Sequence, residues 1–310
     1  MSAQSSPFLT QIEPICPTDL MARAKAGRTP RVAIANAGSK IPMQAAFEAT
    51  KLGIMTPVFT GNDTAIKQYA DQLGWDISEF PIIQAPDETS AGTAAAHACG
   101  DGRADILMKG DIHSDTFLKA ALAADAGLRT GARLVHIFYM THPNGGRPFL
   151  ISDGAVNVTP DIRTRQTAAV EMTALLHKLG NNRPKIAFLS ATETPIPSVG
   201  SSMDARQLRD WAQANITDAD FSGPLALDLV LSANAARVKG LDDPVAGAAD
   251  GVIVPDIVSG NVLFKSMVYL TGACAAGLIT GAKVPLILTS RADPPAARLA
   301  SIALAVVASA

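Results

Sequence analysis

Short apolar or β-branched runs alternate along this chain with longer alanine-rich stretches, and that alternation constrains the fold more than any other feature. Runs suited to strands fall at residues 31–35, 57–60, 105–108, 134–140, 149–152, 185–190, 251–255 and 284–289. Helical spacing fits residues 43–52, 64–73, 93–100, 114–126, 162–179, 205–214 and 261–278. A strand–helix repeat of this kind predicts an α/β fold with mostly parallel sheets flanked by helices. The exception is residues 133–157, where two strands joined by His142-Pro-Asn-Gly-Gly146 read as an antiparallel hairpin, and that break marks a domain boundary after residue 132.

Size and composition agree with two packed lobes. A chain of 310 residues with 48% hydrophobic and 17% charged residues is at the size where a single core stops growing and is apolar enough to build more than one. Lysine and arginine number 26 against 28 acids, and neither sign is gathered into a block, so nothing in the charge pattern suits a nucleic-acid partner. Cys16, Cys99 and Cys274 are far apart and lack metal-ligand spacing, which fits reduced thiols in a cytoplasmic protein. Residues 1–20 lack the basic and apolar parts of a signal peptide, and residues 268–279 are too short to span a bilayer, so no membrane association is expected.

Nucleotide and metal motifs are missing. Asn36-Ala-Gly-Ser-Lys40 follows the first strand where a dinucleotide fold would carry its glycine fingerprint, and no P-loop pattern occurs. The five histidines, His97, His113, His136, His142 and His177, are scattered, and no metal site is expected.

Polar groups gather instead where strands end, which is where parallel sheets bind ligands. The run at 284–288 gives way abruptly to Thr289, Ser290, Arg291 and Asp293. Asp293 reads either as a functional carboxylate or as the cap of a helix opened by Pro294 and Pro295. Lys109 stands just past another buried run, beside Gly110, which lets a ligand approach the backbone. Asp153 and Asn157 flank Gly154 after the hairpin, and Asp256, Asn261 and Lys265 lead from a strand end into a helix whose free amides suit an anion.

Together these segments resemble the phosphate acetyltransferase and phosphate butyryltransferase family. The resemblance is carried by Ala104-Asp-Ile-Leu-Met-Lys-Gly110, by residues 152–160, by Ser222-Gly-Pro-Leu-Ala-Leu-Asp228, by Val238-Lys-Gly240 with Pro244-Val-Ala-Gly247, and by residues 255–265 and 281–293. Leu-Met-Lys-Gly and Thr-Ser-Arg-Ala-Asp are closer to the butyryl branch, because the acetyl branch usually reads Leu-Ser-Arg-Gly.

The resemblance implies a two-lobed fold similar to isocitrate and isopropylmalate dehydrogenases, with the active site in the interdomain cleft. Residues 1–132 plus 290–310 would form domain I and residues 133–289 domain II. It also implies a homodimer that moves a short acyl group, acetyl to butyryl, reversibly between coenzyme A and inorganic phosphate. Acyl-CoA, phosphate and acyl phosphate would be its partners; coenzyme A is a substrate, and no cofactor is required.

In that chemistry Ser290 would donate to the thiolate or the developing oxyanion and Arg291 would hold phosphate with its planar fork. Asp293 is the nearest carboxylate for the general base. The acetyl branch places an aspartate seven positions beyond the serine, and here that position is Ala297. Lys109, Lys119, Asp153, Asn157, Asn261 and Lys265 would contact substrate, Lys119 standing where the acetyl branch has a ligand-contacting arginine. The alternatives are a decarboxylating dehydrogenase of the same fold and a catalytically silent ligand-binding relative.

Overall fold

The computed structural model describes residues 6–290 and 292–310. In chain order the first part comprises α1 (Thr18–Ala26), β1 (Arg31–Ala35), α2 (Lys40–Lys51), β2 (Thr56–Gly61), α3 (Asp63–Gln72), β3 (Ile82–Gln84), α4 (Glu88–Gly100), β4 (Ile106–Lys109) and α5 (Ser114–Ala121). The hairpin β5 (Val135–Thr141) and β6 (Phe149–Ser152) is followed by α6 (Ile162–Lys178), β7 (Lys185–Leu189), α7 (Gly200–Asn215), β8 (Asp220–Leu225), α8 (Leu227–Leu231) and α9 (Ala233–Val238). The chain closes with β9 (Gly251–Ile253), α10 (Ile257–Thr271), β10 (Cys274–Thr280), β11 (Leu286–Ile287) and α11 (Pro295–Ser309).

The chain divides into two compact units. One comprises residues 16–132 and 276–310, with strand order β3-β2-β1-β4-β11-β10. Its strands β1, β2, β3, β4 and β11 run parallel, whereas β10 meets β11 antiparallel. Every residue of β4 is buried, as are Val32, Ala33, Ile34 and Ala35 of β1, so both faces of this sheet are covered. The other unit comprises residues 1–15 and 133–275 and orders its strands β5-β6-β9-β7-β8. The β5–β6 pair is antiparallel, as its turn composition predicts, and β6, β9, β7 and β8 are parallel. Its core gathers Met140, Ile151, Val252, Val254, Leu229 and Val230. The fold is thus mixed α/β with mostly parallel strands flanked by helices.

Three expectations from the sequence need correction. The helix expected over 261–278 ends at Thr271: Gly272 takes a left-handed φ of 75° and packs so closely that a Cβ there would meet the Ile12 carbonyl at 2.7 Å. The chain beyond it re-enters as β10, an alanine-rich strand whose composition hides it. The strand expected over 284–289 is only Leu286–Ile287, because Pro285 has no amide to give the ladder. The helix expected over 114–126 stops at Ala121 and gives way to a single 3₁₀ turn at Ala124–Ala126. Strands β3 and β8 were not anticipated; β8 carries Gly223 and Pro224, tolerated because it lies at the end of its strand order. No helix among the described residues is long and apolar enough to cross a membrane.

Helix α10 is capped by Asp256, whose carboxylate accepts from the Ser259 amide at 2.8 Å, and its first turn lies directly on the loop after β6. A Cβ on Gly260 would meet the Asp153 carbonyl at 2.5 Å and the Gly154 Cα at 2.9 Å. Helix propensity alone favours alanine over glycine by about 1 kcal/mol, but here the clash reverses the sign. Gly260→Ala is therefore expected to lower the denaturation midpoint, while Gly200→Ala in α7, where a methyl group meets nothing within 4 Å, leaves it unchanged or raises it. Paired urea melts of the two variants check this.

Candidate active site

The carboxyl ends of β1, β4 and β11 converge. Ala35 pairs with Lys109, and Met108 pairs with Ile287, so the segments that follow these three strands emerge side by side. Beyond the last paired residues the backbones of β1 and β4 stay laced: the Gly110 amide donates to Ala35 O and the Asp111 amide to Asn36 O, both at 2.9 Å. Gly110 is required there, because a Cβ would stand 2.4 Å from Ala35 O. Asn36 completes the lacing from a positive φ of 58°, its Nδ2 donating to Asp111 O at 2.5 Å.

This lacing forms one wall of a cavity of about 40 Å³, room for a few water-sized groups. Lys109, Gly110 and Asp111 line it from the β4 end, Ser39 from the start of α2, Ser290 from the end of β11 and Arg298 from α11. Lys109 and Arg298 are 7% and 9% exposed, so two cations are held largely out of water around one small space. Ser39 precedes α2 without capping it through its side chain, leaving first-turn amides of that helix without that partner.

Ser290, Ala292 and Asp293 are bound closely to one another. The Asp293 carboxylate accepts from the Ser290 amide at 2.7 Å, the Asp293 amide donates to Ser290 O at 3.2 Å, and Ser290 Oγ accepts from the Ala292 amide at 3.2 Å. Asp293 is thus not the cap of the terminal helix: that position belongs to Pro294, and Pro295 opens α11. Burial raises the Asp293 pKa above the ordinary carboxylate value, opposed by the Ser290 hydrogen bond and by the charges of Arg298 and Lys109. Ser290 itself is exposed, and Arg291 lies outside the described residues.

Lys119, in the last turn of α5, is exposed and sits 3.3 Å from Asp115. Ala297, at the position of the acetyl-branch aspartate, is buried in α11.

The remaining expected site residues belong to the other unit. Asp153 is 4% exposed and fully engaged: its Oδ1 accepts from the amides of Ala155 and Val156, and its Oδ2 from the His136 amide and Asn157 Nδ2, at 2.7–2.9 Å. Asn157 also donates to Leu134 O at 2.8 Å. These two residues hold the loop after β6 in shape. Burial lowers the pKa of neighbouring His136, against the opposing charge of Asp153. Asn261 Nδ2 donates to Gly154 O at 3.2 Å, which ties α10 to that same loop, and Lys265 lies 6.0 Å from the Phe264 ring centroid.

Arg298 and Ser39 were not anticipated. A signal for Arg298 was present, since it is the one charged residue in the otherwise apolar Pro295–Ser309. A lone arginine in such a helix is buried with a task or is not buried at all.

Residues 88–306 match the family model described as "Phosphate acetyl/butaryl transferase". A phosphate acetyltransferase of Rhizobium meliloti is 36% identical over 287 residues, covering 92% of this chain and 91% of its own. A phosphate butyryltransferase of Clostridium acetobutylicum is 32% identical, covering 93% and 96%. Among solved structures, the branched-chain phosphotransacylase of Enterococcus faecalis V583 superposes with a TM-score of 0.78 at 31% identity, over 89% of this chain and 98% of its own. With the motifs, the fold and these matches in agreement, the chain belongs to the phosphate acetyl/butyryl transferase family of acyltransferases.

Proposed function

We propose that this acyltransferase moves a short acyl group reversibly between coenzyme A and inorganic phosphate, with the turn at 290–293 and the cavity beside it as the reacting end of its site. The observation that carries this reading is the gathering of Lys109, Ser290 and Arg298 around one cavity, with a half-buried carboxylate, Asp293, beside it. The named relatives are transferases of this kind, and nothing in the comparisons favours the dehydrogenase alternative.

In the direction of acyl-CoA synthesis, the coenzyme A thiol loses its proton, its sulfur attacks the acyl phosphate carbonyl carbon, and a carbon–sulfur bond forms. The carbonyl oxygen then carries negative charge until the bond to the phosphate oxygen breaks and phosphate leaves with the electron pair. Asp293 suits proton removal because burial raises its basicity, and Ser290 Oγ suits donation to the oxyanion. Lys109 and Arg291 balance the phosphate charge, Arg291 by a planar fork that fits two phosphate oxygens. Lys119 acts as a point charge for the coenzyme's phosphates. Asn261 and Lys265 contact substrate, and Asp153 and Asn157 serve by shaping the loop that Asn261 grips. The isocitrate- and isopropylmalate-dehydrogenase-like arrangement of lobes and the cytoplasmic setting belong to this proposal and rest on the family resemblance.

A homodimer is part of the same reading. Helix α10 supports it: Gly260 is its one buried residue, while Val258, Val262, Tyr269 and Leu270 are exposed. A helix that packs Leu263, Phe264, Met267 and Val268 on its own core and leaves a second apolar face in water suits a second copy. Val262→Glu is expected to shift the mass measured by light scattering from dimer to monomer; a wild-type monomer at micromolar concentration overturns this part.

The function is tested by thiol release from acetyl-, propionyl- and butyryl-CoA. Release should require phosphate and be indifferent to nicotinamides, and release at the same rate without phosphate would identify a thioesterase. One methylene in an apolar pocket is worth about 1–3 kcal/mol, so preference among the three should be graded, leaning towards chains longer than acetyl. A specificity constant more than about tenfold higher for acetyl-CoA, within reach of that energy, overturns the leaning.

Two substitutions separate the roles at the turn. Arg291→Lys keeps the charge and loses the fork, and is expected to lower kcat by about 100-fold with little change in coenzyme A affinity. Asp293→Asn keeps an oxygen to accept from the Ser290 amide, so a comparable loss there reports the missing charge and not a broken turn. Steady-state kinetics with circular dichroism on both variants reads the outcome, and a fully active Asp293→Asn enzyme removes Asp293 as the base.

A further inference from the structure

We propose that Arg298 is a positioning residue for Asp293: its guanidinium fastens Asp293 to the first turn of α11 and, with Lys109, supplies the positive charge against which that carboxylate is held. The inference rests on the acyl-transfer reading above and assigns a task in the same site to a residue that no motif marked.

The geometry comes first. Arg298 Nη1 donates to the main-chain oxygen of Asp293, and the Arg298 amide donates to Pro294 O at 3.2 Å, so side chain and backbone both bind the entrance of the helix. The same side chain reaches the cavity that Ser290 and Lys109 line. Moving a guanidinium out of water costs several kcal/mol unless opposite charge is near. In this setting a carbonyl partner alone does not balance Arg298. The Arg298 charge also acts on the Asp293 carboxylate, drawing it towards the ionised form.

Among the described residues, two cations act on Asp293. Lys109 faces it from β4 and Arg298 from α11; Asp111, just past β4, lines the same cavity, and the Ser290 amide donates from its own turn. Arg291 is outside the described residues. Burial raises the Asp293 pKa, and the Ser290 amide, Arg298 and Lys109 each lower it. Removing the Arg298 charge leaves burial less opposed, so the carboxyl holds its proton to higher pH. A base that must be ionised then becomes active only at higher pH, and the acidic limb of the rate profile moves up.

The test is the pH dependence of kcat/KM for wild type, Arg298→Gln, Arg298→Lys and Asp293→Asn, with thermal melts to confirm folding. Arg298→Gln should move the acidic limb to higher pH. Arg298→Lys should leave the limb in place while kcat falls by about tenfold or more, because the shorter ammonium falls short of the Asp293 main-chain oxygen that the guanidinium holds. Asp293→Asn should abolish the limb. A residue serving only to pack the helix would lower the melting temperature without moving the limb, so an unmoved limb in a folded Arg298→Gln enzyme overturns the proposal. A fully active Arg298→Lys enzyme overturns the fastening role even if the glutamine variant fails to fold. Carbon-13 NMR titration of aspartate-labelled protein, with the Asp293 signal identified by its loss in Asp293→Asn, reads the same midpoint without turnover. If no form of the protein releases thiol with phosphate, the transferase reading fails while the NMR shift still decides the role of Arg298.

Discussion

Everything at the candidate site depends on how closely two backbones approach after their strands have ended. β1 and β4 continue to exchange hydrogen bonds through Gly110 and Asp111, and the approach tolerates no side chain at residue 110. Because Ala35, Asn36 and Gly110 are fixed to one another, Lys109 is fixed as well, and it lines the same small space as Ser39, Ser290 and Arg298. β11 then docks on the free edge of β4 and delivers Ser290 to the same place. A looser crossing would leave these groups on separate loops. The site is a product of strand packing, and its polar residues take positions the sheet has already chosen.

Charge is arranged there under the opposite rule from the surface. Exposed pairs such as Lys119 with Asp115 or Lys67 with Asp63 are one helical turn apart and contribute little. Lys109 and Arg298 have given up most of their water, so each neighbouring dipole and carboxylate acts at higher effect. A half-buried acid beside two buried cations is pulled in both directions at once, towards protonation by burial and away from it by charge. Such a balance raises the basicity of the carboxylate while the neighbouring charges limit the rise.

Much of the fold was legible because most strands here are buried on both faces and read as uninterrupted apolar runs. Residues 31–35 and 149–152 were bounded as observed, since β-branched and aromatic residues stop abruptly at polar ones. β10 was hidden because Cys274-Ala-Ala-Gly277 has the composition of a helix, and only its packing makes it a strand. β8 was hidden by Gly223 and Pro224, which local reading treats as breakers. At the site, Lys109, Ser290 and Asp293 were marked by the polar ends of apolar runs, and the structure does bring them close. The role of Asp293 in its turn was not legible, because a carboxylate before two prolines looks like a cap until its partner is seen. Asp153 was marked for the same reason, but its two oxygens already accept four donors, which only the loop geometry reveals.

The pairing of β4 with β11 joins residues that lie far apart in the chain, Leu107 with Leu286 and Met108 with Ile287. During synthesis, β4 therefore waits with an open edge of buried-type side chains while the whole 133–275 unit is made. Contacts of such sequence separation form slowly, because a long loop must close before they stabilise anything. The turn at 290–293 and Arg298 come later still. A nascent chain can thus complete its hairpin unit, in sequence and in contacts, while the place where Lys109 ends remains an unguarded seam. The final strand and helix act as the fastener of that seam.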